Sequence, residues 1–204
     1  MNEKVILRAY VTNLELYKEG MIVGEWIDFP TTREKMQEAM RRTGMNNKEY
    51  ENCHITKYES DIAGLTDCFR EYENLSMLNY LAGKIQDMDC SMEQLEAMIA
   101  YGTFTGSVEE LINLIDNKEC FLFLPNVKSD YDLGYAYAEN SGLFTEALKS
   151  LGMLANYIDY EAYGRDIRLK EGGKFTEYGY IVKTDNINIS FDSTTDKILE
   201  EYCL

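Results

Sequence analysis

Few residues in this chain can act as a nucleophile, base or metal ligand. His54 is the single histidine, so a Ser–His or Cys–His catalyst has one candidate base. Cys53, Cys68, Cys90, Cys120 and Cys203 are odd in number and widely spaced, with no C-x-x-C pair. Cys53 and His54 are neighbours on a predicted strand, so they point to opposite faces and share no metal. Buried free thiols in a reducing cytoplasm are the expectation. No G-x-S-x-G, Walker A or G-x-G-x-x-G run is present. Asp87-Met88-Asp89 has the opening spacing of a calcium loop, but no glycine stands at its sixth position and no glutamate at its twelfth. With 36 acids in the chain, pairs of carboxylates carry little weight as a hydrolase signal. A carboxylate enzyme would need a closed pocket with converging acids of raised pKa. The residues therefore read as a non-enzyme with no metal and no cofactor.

What the chain has in abundance is negative charge. Twenty Lys and Arg stand against 36 Asp and Glu, for a net charge of −16 on 204 residues. That balance repels nucleic acid and anionic membranes, so direct nucleic-acid binding and membrane association are both disfavoured. No secretory leader pattern and no long apolar run occurs, and a soluble cytoplasmic protein is expected. The charge is unevenly placed. Residues 1–60 carry −1, residues 61–160 carry −12 and residues 161–204 carry −3. Ordinary solvated helices intersperse Lys and Arg with their acids. From Ile85 to Asn140 only Lys118 and Lys128 face Asp87, Asp89, Glu93, Glu96, Glu109, Glu110, Asp116, Glu119, Asp130, Asp132 and Glu139. Uncompensated like charge destabilises a compact state, and a basic partner would offset that cost. Carboxylates on rigid helices can approximate the phosphates that a basic DNA-binding groove neutralises. The unpaired acids from Asp87 to Asp132 are the candidates for that role. Glu71 and Glu73, at a predicted helix start, fit either dipole stabilisation or phosphate mimicry.

Periodicity supplies the elements that hold these acids. Residues 5–12 and 21–29 read as strands, with Gly20 a turn, Gly24 a bulge and Pro30 a stop. Thr31 and Glu34 form a capping box for a helix that closes at Gly44. Residues 53–59 read as a third strand. Trp26, Tyr10 and Leu14 are assigned to this unit's core. The period then becomes helical. Leu75, Leu78, Leu81 and Ile85 form one core face behind an Asn74 cap, and Ser91 and Ser107 open two more helices. CFLFLP (120–125) is a short strand. Helices follow at about 130–139, 142–151 and 156–169, with a strand over 176–184. In the tail, INISF fits a strand and TTDKILEEYCL a helix. The reading is α+β, in three small units: 1–62 with a small sheet and a helix, 63–117 helical and acidic, and 118–204 mixed. Sixteen tyrosines suit interfaces, and Arg165 among the acids of 159–166 predicts internal ion pairing.

Four segments, in order, resemble the ArdA-type antirestriction proteins. Tyr10, Asn13, Leu14, Tyr17, Gly20, Gly24, Glu25, Trp26 and Asp28 match the family's opening turn and strand. Ile55-Thr56 with Tyr58-Glu59 is similar to its third strand. Glu71-Tyr72-Glu73-Asn74-Leu75 resembles the acidic segment usually written L-G-E-Y-E-x-L. Residues 157–166, YIDYEAYGRD, are similar to its C-terminal signature. Arg70 stands where that acidic segment usually has glycine. Residues 183–204 extend past the signature and have no assigned role. The resemblance implies an elongated, homodimeric, three-part mimic of bent duplex DNA, carried by mobile genetic elements. It implies binding to the specificity and methyltransferase subunits of Type I restriction–modification enzymes, without catalysis. The aromatic helix that holds Tyr157, Tyr160 and Tyr163 is expected to build either the C-terminal core or the dimer interface, and these three are the interface candidates. A general acidic inhibitor of some other basic protein is the alternative.

Overall fold

The computed structural model describes residues 4–45 and 54–184. The expectations for Cys53, Cys203 and the INISF and TTDKILEEYCL tail lie outside them. The described residues form eight helices and two three-stranded antiparallel sheets, an α+β architecture. They group into two compact units. One takes the described residues of Met1–Cys90 plus Thr103–Asn117, and the other Ser91–Gly102 plus the described residues of Lys118–Ile187.

In the first unit, β1 (Leu7–Thr12) is the central strand, between β2 (Gly24–Phe29) and β3 (His54–Glu59). Alternation sets its faces. Leu7, Ala9 and Val11 are buried with Ile27, Phe29 and Ile55. Arg8 and Tyr10 stand opposite Asp28 and Trp26 on the outer face. Trp26, Tyr10 and Leu14 are therefore half-buried and lie outside the core. Arg8 and Lys57 each lie over the Trp26 ring, at 5.0 and 5.4 Å from its centroid, and Tyr10 meets it edge-on at 5.3 Å. The irregularity in the sheet falls between Tyr10 and Val11, not at Gly24. Gly24 is needed for another reason: a Cβ there would meet the Tyr10 ring and the Val11 carbonyl oxygen at 2.7 Å.

A short helix, α1 (Leu14–Lys18), precedes β2. The sequence pattern did not show it, because five residues are too few for a periodic stripe. Asn13 caps it, accepting from the N–H groups of Glu15 and Leu16. The helix α2 (Arg33–Arg42) buries Met36, Ala39 and Met40 as its stripe requires. Its cap is Thr32, one residue later than expected. Thr31 is held instead by Asn79, whose side chain bonds its N–H at 2.7 Å and its C=O at 3.0 Å. Then α3 (Leu75–Asp87) starts at Asn74 and buries Leu75, Leu78, Leu81 and Ile85. Its apolar face packs on β2 and on α5 (Val108–Asp116), which Ser107 caps. Burying each such Leu or Ile is worth about 1.5–3 kcal/mol.

In the second unit, β6 (Gly179–Lys183) lies between β4 (Phe121–Pro125) and a two-residue strand, β5 (Lys174–Phe175). The helix α4 (Met92–Tyr101) packs on β4 and β6. Leu133, Tyr180 and Val182 form a core cluster, packed by Leu124, Val127, Tyr137, Ile167 and Phe175. Three more helices complete the unit: α6 (Asp130–Asn140), α7 (Gly142–Leu151) and α8 (Tyr160–Glu171). A 3-10 segment, Gly152–Tyr157, occupies what reads in sequence as the start of α8. The helices α6 and α8 cross where Gly134 and Gly164 meet. A Cβ on Gly164 would stand inside the Asp130 carbonyl, and one on Gly134 inside the Tyr160 carbonyl. Glycine is thus required by the closeness of the two backbones. No described helix is long and apolar enough to cross a membrane.

Candidate acidic interface

Helix ends position most of the candidate acids, and this separates two causes for their presence. Glu93 lies in the first turn of α4, Glu109 and Glu110 in that of α5, and Asp130 and Asp132 in that of α6. An acid there is stabilised by the helix dipole by about 0.3–1 kcal/mol, which explains it without any partner. Asp87 and Asp116 are the last residues of α3 and α5. At that end the dipole opposes them by a similar amount. Glu73 directly precedes the Asn74 cap of α3 and Glu71 lies two residues further back, so neither is in the helix's first turn.

Several of these acids are paired, which corrects the reading of an unpaired run. Lys84 bonds Asp116 from one turn before the end of α3. Lys118 reaches Glu119 at 3.5 Å. Arg168 on α8 grips Asp130 through two bonds, Nε to Oδ1 at 2.7 Å and Nη2 to Oδ2 at 3.1 Å. The guanidinium holds the Asp130 carboxyl below the usual carboxylate range. The ion pair with Asp130 is made by Arg168, and Arg165 adds to the positive field on that carboxyl. Lys84 and Arg168 both lie outside the sequence window of Ile85 to Asn140, so only folding brings them to these acids.

Other acids serve the backbone. Glu110 accepts from the Gly106 N–H at 2.8 Å, one residue before the Ser107 cap, whose hydroxyl accepts from the Glu110 N–H. Asp132 accepts from the Ser129 hydroxyl and the Lys128 N–H. Glu73 accepts from the Arg70 N–H at 3.0 Å; burial, with Glu109 nearby, pushes its pKa up. Glu71 reaches His54 Nε2 at 3.4 Å. Glu96 sits against the Tyr178 phenol, which its bond to Glu177 and then burial push up to about 12. Asp89 is exposed in the turn after α3. Asp87 and Glu93 are exposed and Glu109 half-buried, and among the described residues none of the three is in an ion pair.

Arg70, in place of the family's glycine, is accommodated. Among the described residues only Phe104 and Asn126 are non-glycines with a left-handed backbone, so the position imposes no demand for glycine. The Arg70 guanidinium donates to the Gly106 carbonyl at 3.1 Å.

The tyrosines divide. Tyr160 is half-buried against Tyr131 and Tyr135, with edge-on ring contacts at 5.8 and 5.4 Å. Tyr157 is 85% exposed and Tyr163 is at the surface. Cys68, Cys90 and Cys120 are half-buried, not buried as expected. They flank helix ends and strand starts, where covering is incomplete.

A groove of about 530 Å³ between β2 and α2 also gathers charge, from Glu25, Asp28, Lys35, Glu38 and Arg42. It is open, and Arg42 already spans Glu25 at 3.2 Å and Glu38 at 4.0 Å. Glu25 and Glu38 share that cation, and Asp28 pairs with Arg8 at 2.7 Å, so these acids do not converge on a substrate space.

The family model described as antirestriction protein (ArdA) matches residues 9–182 of the chain. No curated protein matches it closely enough to count.

Proposed function

The chain belongs to the ArdA antirestriction protein family, and we propose that it acts as an acidic stand-in for duplex DNA. On this reading it occupies the DNA-binding channel of a Type I restriction–modification enzyme, at the specificity and methyltransferase subunits, and performs no catalysis. The observation that carries the reading is Asp87. It is exposed, lies at the helix end where the dipole disfavours it, and makes no ion pair among the described residues. Nothing in the fold rewards it there, and it falls in the hundred residues that hold −12 of the charge. Asp89 and Glu109 in the first unit, and Glu93 in the second, are further candidates. Asp116, Glu119 and Asp130 are assigned mainly to internal pairs.

A channel that neutralises phosphates should bind the protein more tightly as salt falls. Competition against labelled duplex DNA for a Type I methyltransferase, at low and high ionic strength, tests this. Loss of DNA binding with a marked salt dependence supports the proposal; no displacement at any salt overturns it. The other reading, an acidic inhibitor of a different basic protein, gives salt-dependent binding to that protein but leaves unmodified DNA in a cell unprotected from Type I restriction.

We also propose a homodimer through the second unit, in the cytoplasm where restriction enzymes work. Tyr157, at 85% exposed, Met153, at 84%, and Leu169, at 67%, are large apolar side chains left open there. Tyr163 adds to them, while Tyr160 serves mainly the contact between α6 and α8. Sedimentation of the wild type against Tyr157→Asp tests the assembly; a monomeric wild type overturns it.

A further inference from the structure

In the first unit three rings stand in a row. His54 at the start of β3 lies between Tyr17 of α1 and Tyr72, with centroid separations of 5.6 and 5.2 Å. The outer two are prominent, Tyr17 at 45% and Tyr72 at 57% exposed, while the His54 side chain is only 12% exposed. The three rings therefore form one cluster, with two phenol rings open to solvent beside a largely covered imidazole. Glu71 stands at its edge, 75% exposed, with Oε2 at 3.4 Å from His54 Nε2. The backbone is tied down beneath it, because the Ile55 N–H donates to the Glu71 carbonyl at 2.8 Å. Met21, at 47%, and Ile22, at 73% exposed, follow α1 in the chain and leave more apolar surface open.

Neither stability nor charge mimicry explains this arrangement. Two large phenol rings are left open to water although a third ring is there to pack them. Phosphate mimicry needs carboxylates alone and makes no use of rings. Flat aromatic faces with a carboxylate at the edge match a different chemistry. A guanidinium stacks on a ring face and bonds a carboxylate with its fork of N–H donors. An ammonium is rounder and more strongly hydrated, and gains less from the same surface. The local charge selects a cation. Glu73 and Glu109 lie near one another in the same unit, and the nearby Arg70 guanidinium is already engaged by the Gly106 carbonyl.

We propose that the cluster of Tyr17, His54, Tyr72 and Glu71 takes an arginine side chain of the protein that this chain inhibits. The identity of that protein rests on the function proposed above; the cluster and its ligand chemistry do not. Contact with an arginine gives the complex a component that depends on ring faces as well as on charge. It adds to the affinity supplied by the acidic field and depends on the shape of one side chain.

The test has two arms, both on the full chain. In the first, an acetylated, amidated arginine peptide is titrated while side-chain NMR signals are followed. Signals of Tyr17, His54 and Tyr72 should move first, and the citrulline peptide, which keeps the shape without the charge, should leave them in place. Tyr17→Ala with Tyr72→Ala should abolish the shift, while Tyr17→Phe with Tyr72→Phe should keep it, provided both pairs melt like the wild type. Shifts spread over the acidic helices with no preference for these rings overturn the proposal. In the second arm, the alanine pair should weaken binding to a Type I methyltransferase about tenfold, with the salt dependence unchanged. Equal binding by wild type and the alanine pair overturns the proposal. If the wild type itself fails to bind, the Type I reading falls, and the peptide arm alone decides the role of the cluster.

Discussion

Asp130→Asn separates an acid that holds the fold from an acid that meets a partner. Asp130 receives two charge-assisted hydrogen bonds from Arg168, at 2.7 and 3.1 Å. Such bonds contribute about 1.5–3 kcal/mol together when partly desolvated. The side chains are 20% and 29% exposed, so screening removes some of this. Asp130 also opens α6, where the dipole adds about 0.3–1 kcal/mol. The asparagine keeps the shape but turns an amide N–H₂ toward the guanidinium. A loss of about 2 kcal/mol is expected, and for a chain of this size about 4–8 °C in Tm. The pH dependence follows from the lowered carboxyl pKa of Asp130. A carboxyl depressed in the folded state adds stability above its unfolded pKa of about 3.9, and that stability is lost as pH falls through the folded value. The gap between wild type and variant should be full at pH 7 and close as the solution is acidified below about pH 4. Melts followed by circular dichroism across pH measure it. Equal melting at pH 7 refutes the assignment of Asp130 to an internal pair. So does a lower salt dependence of inhibition with no change in Tm, since that would place Asp130 against the partner.

Three further outcomes are expected. Asp87→Asn should leave Tm unchanged or raise it slightly, since the dipole disfavours the acid by about 0.3–1 kcal/mol; it should lower the salt slope of methyltransferase binding by up to about one, and a fall in Tm would show an internal role. Gly164→Ala should cost at least about 2 kcal/mol, because its Cβ meets the Asp130 backbone and α6 and α8 must separate; thermal melts read this, and Gly83→Ala, where a Cβ meets nothing within 4 Å, serves as the tolerated control. The hydroxyls of Tyr137 and Tyr180 both donate to Glu171 Oε2, at 2.8 and 3.4 Å, and burial pushes both phenols up. A proton held more tightly in the folded state means that stability is full below about pH 10 and falls as pH rises beyond it. In alkaline melts, Tyr137→Phe should lessen that fall, and an unchanged alkaline profile would count against the shared carboxylate.

The sequence alone determined what is local. Asn74, Ser91 and Ser107 cap their helices because a short polar side chain satisfies the free N–H groups nearest to it in the chain. The stripes of α2 and α3 were legible because a helix repeats every 3.6 residues, whatever it packs against. The family was legible too, because its signatures are short runs in a fixed order. What escaped was non-local. Thr31 lost the cap to Thr32 because Asn79, far along the chain, holds its backbone. The α1 turn and the two-residue β5 are too short to show a period. Trp26 and Tyr10 sit on the outer sheet face because strand order left that face without a covering helix. The acids between Ile85 and Asn140 looked unpaired because Lys84 and Arg168 lie outside that stretch. Charge can be summed along a chain, but pairing acts at a few ångströms through space, and only the tertiary structure sets those distances. The same holds for the ring cluster, whose Tyr17, His54 and Tyr72 lie on α1, on β3 and in the segment before α3, and only folding brings them together.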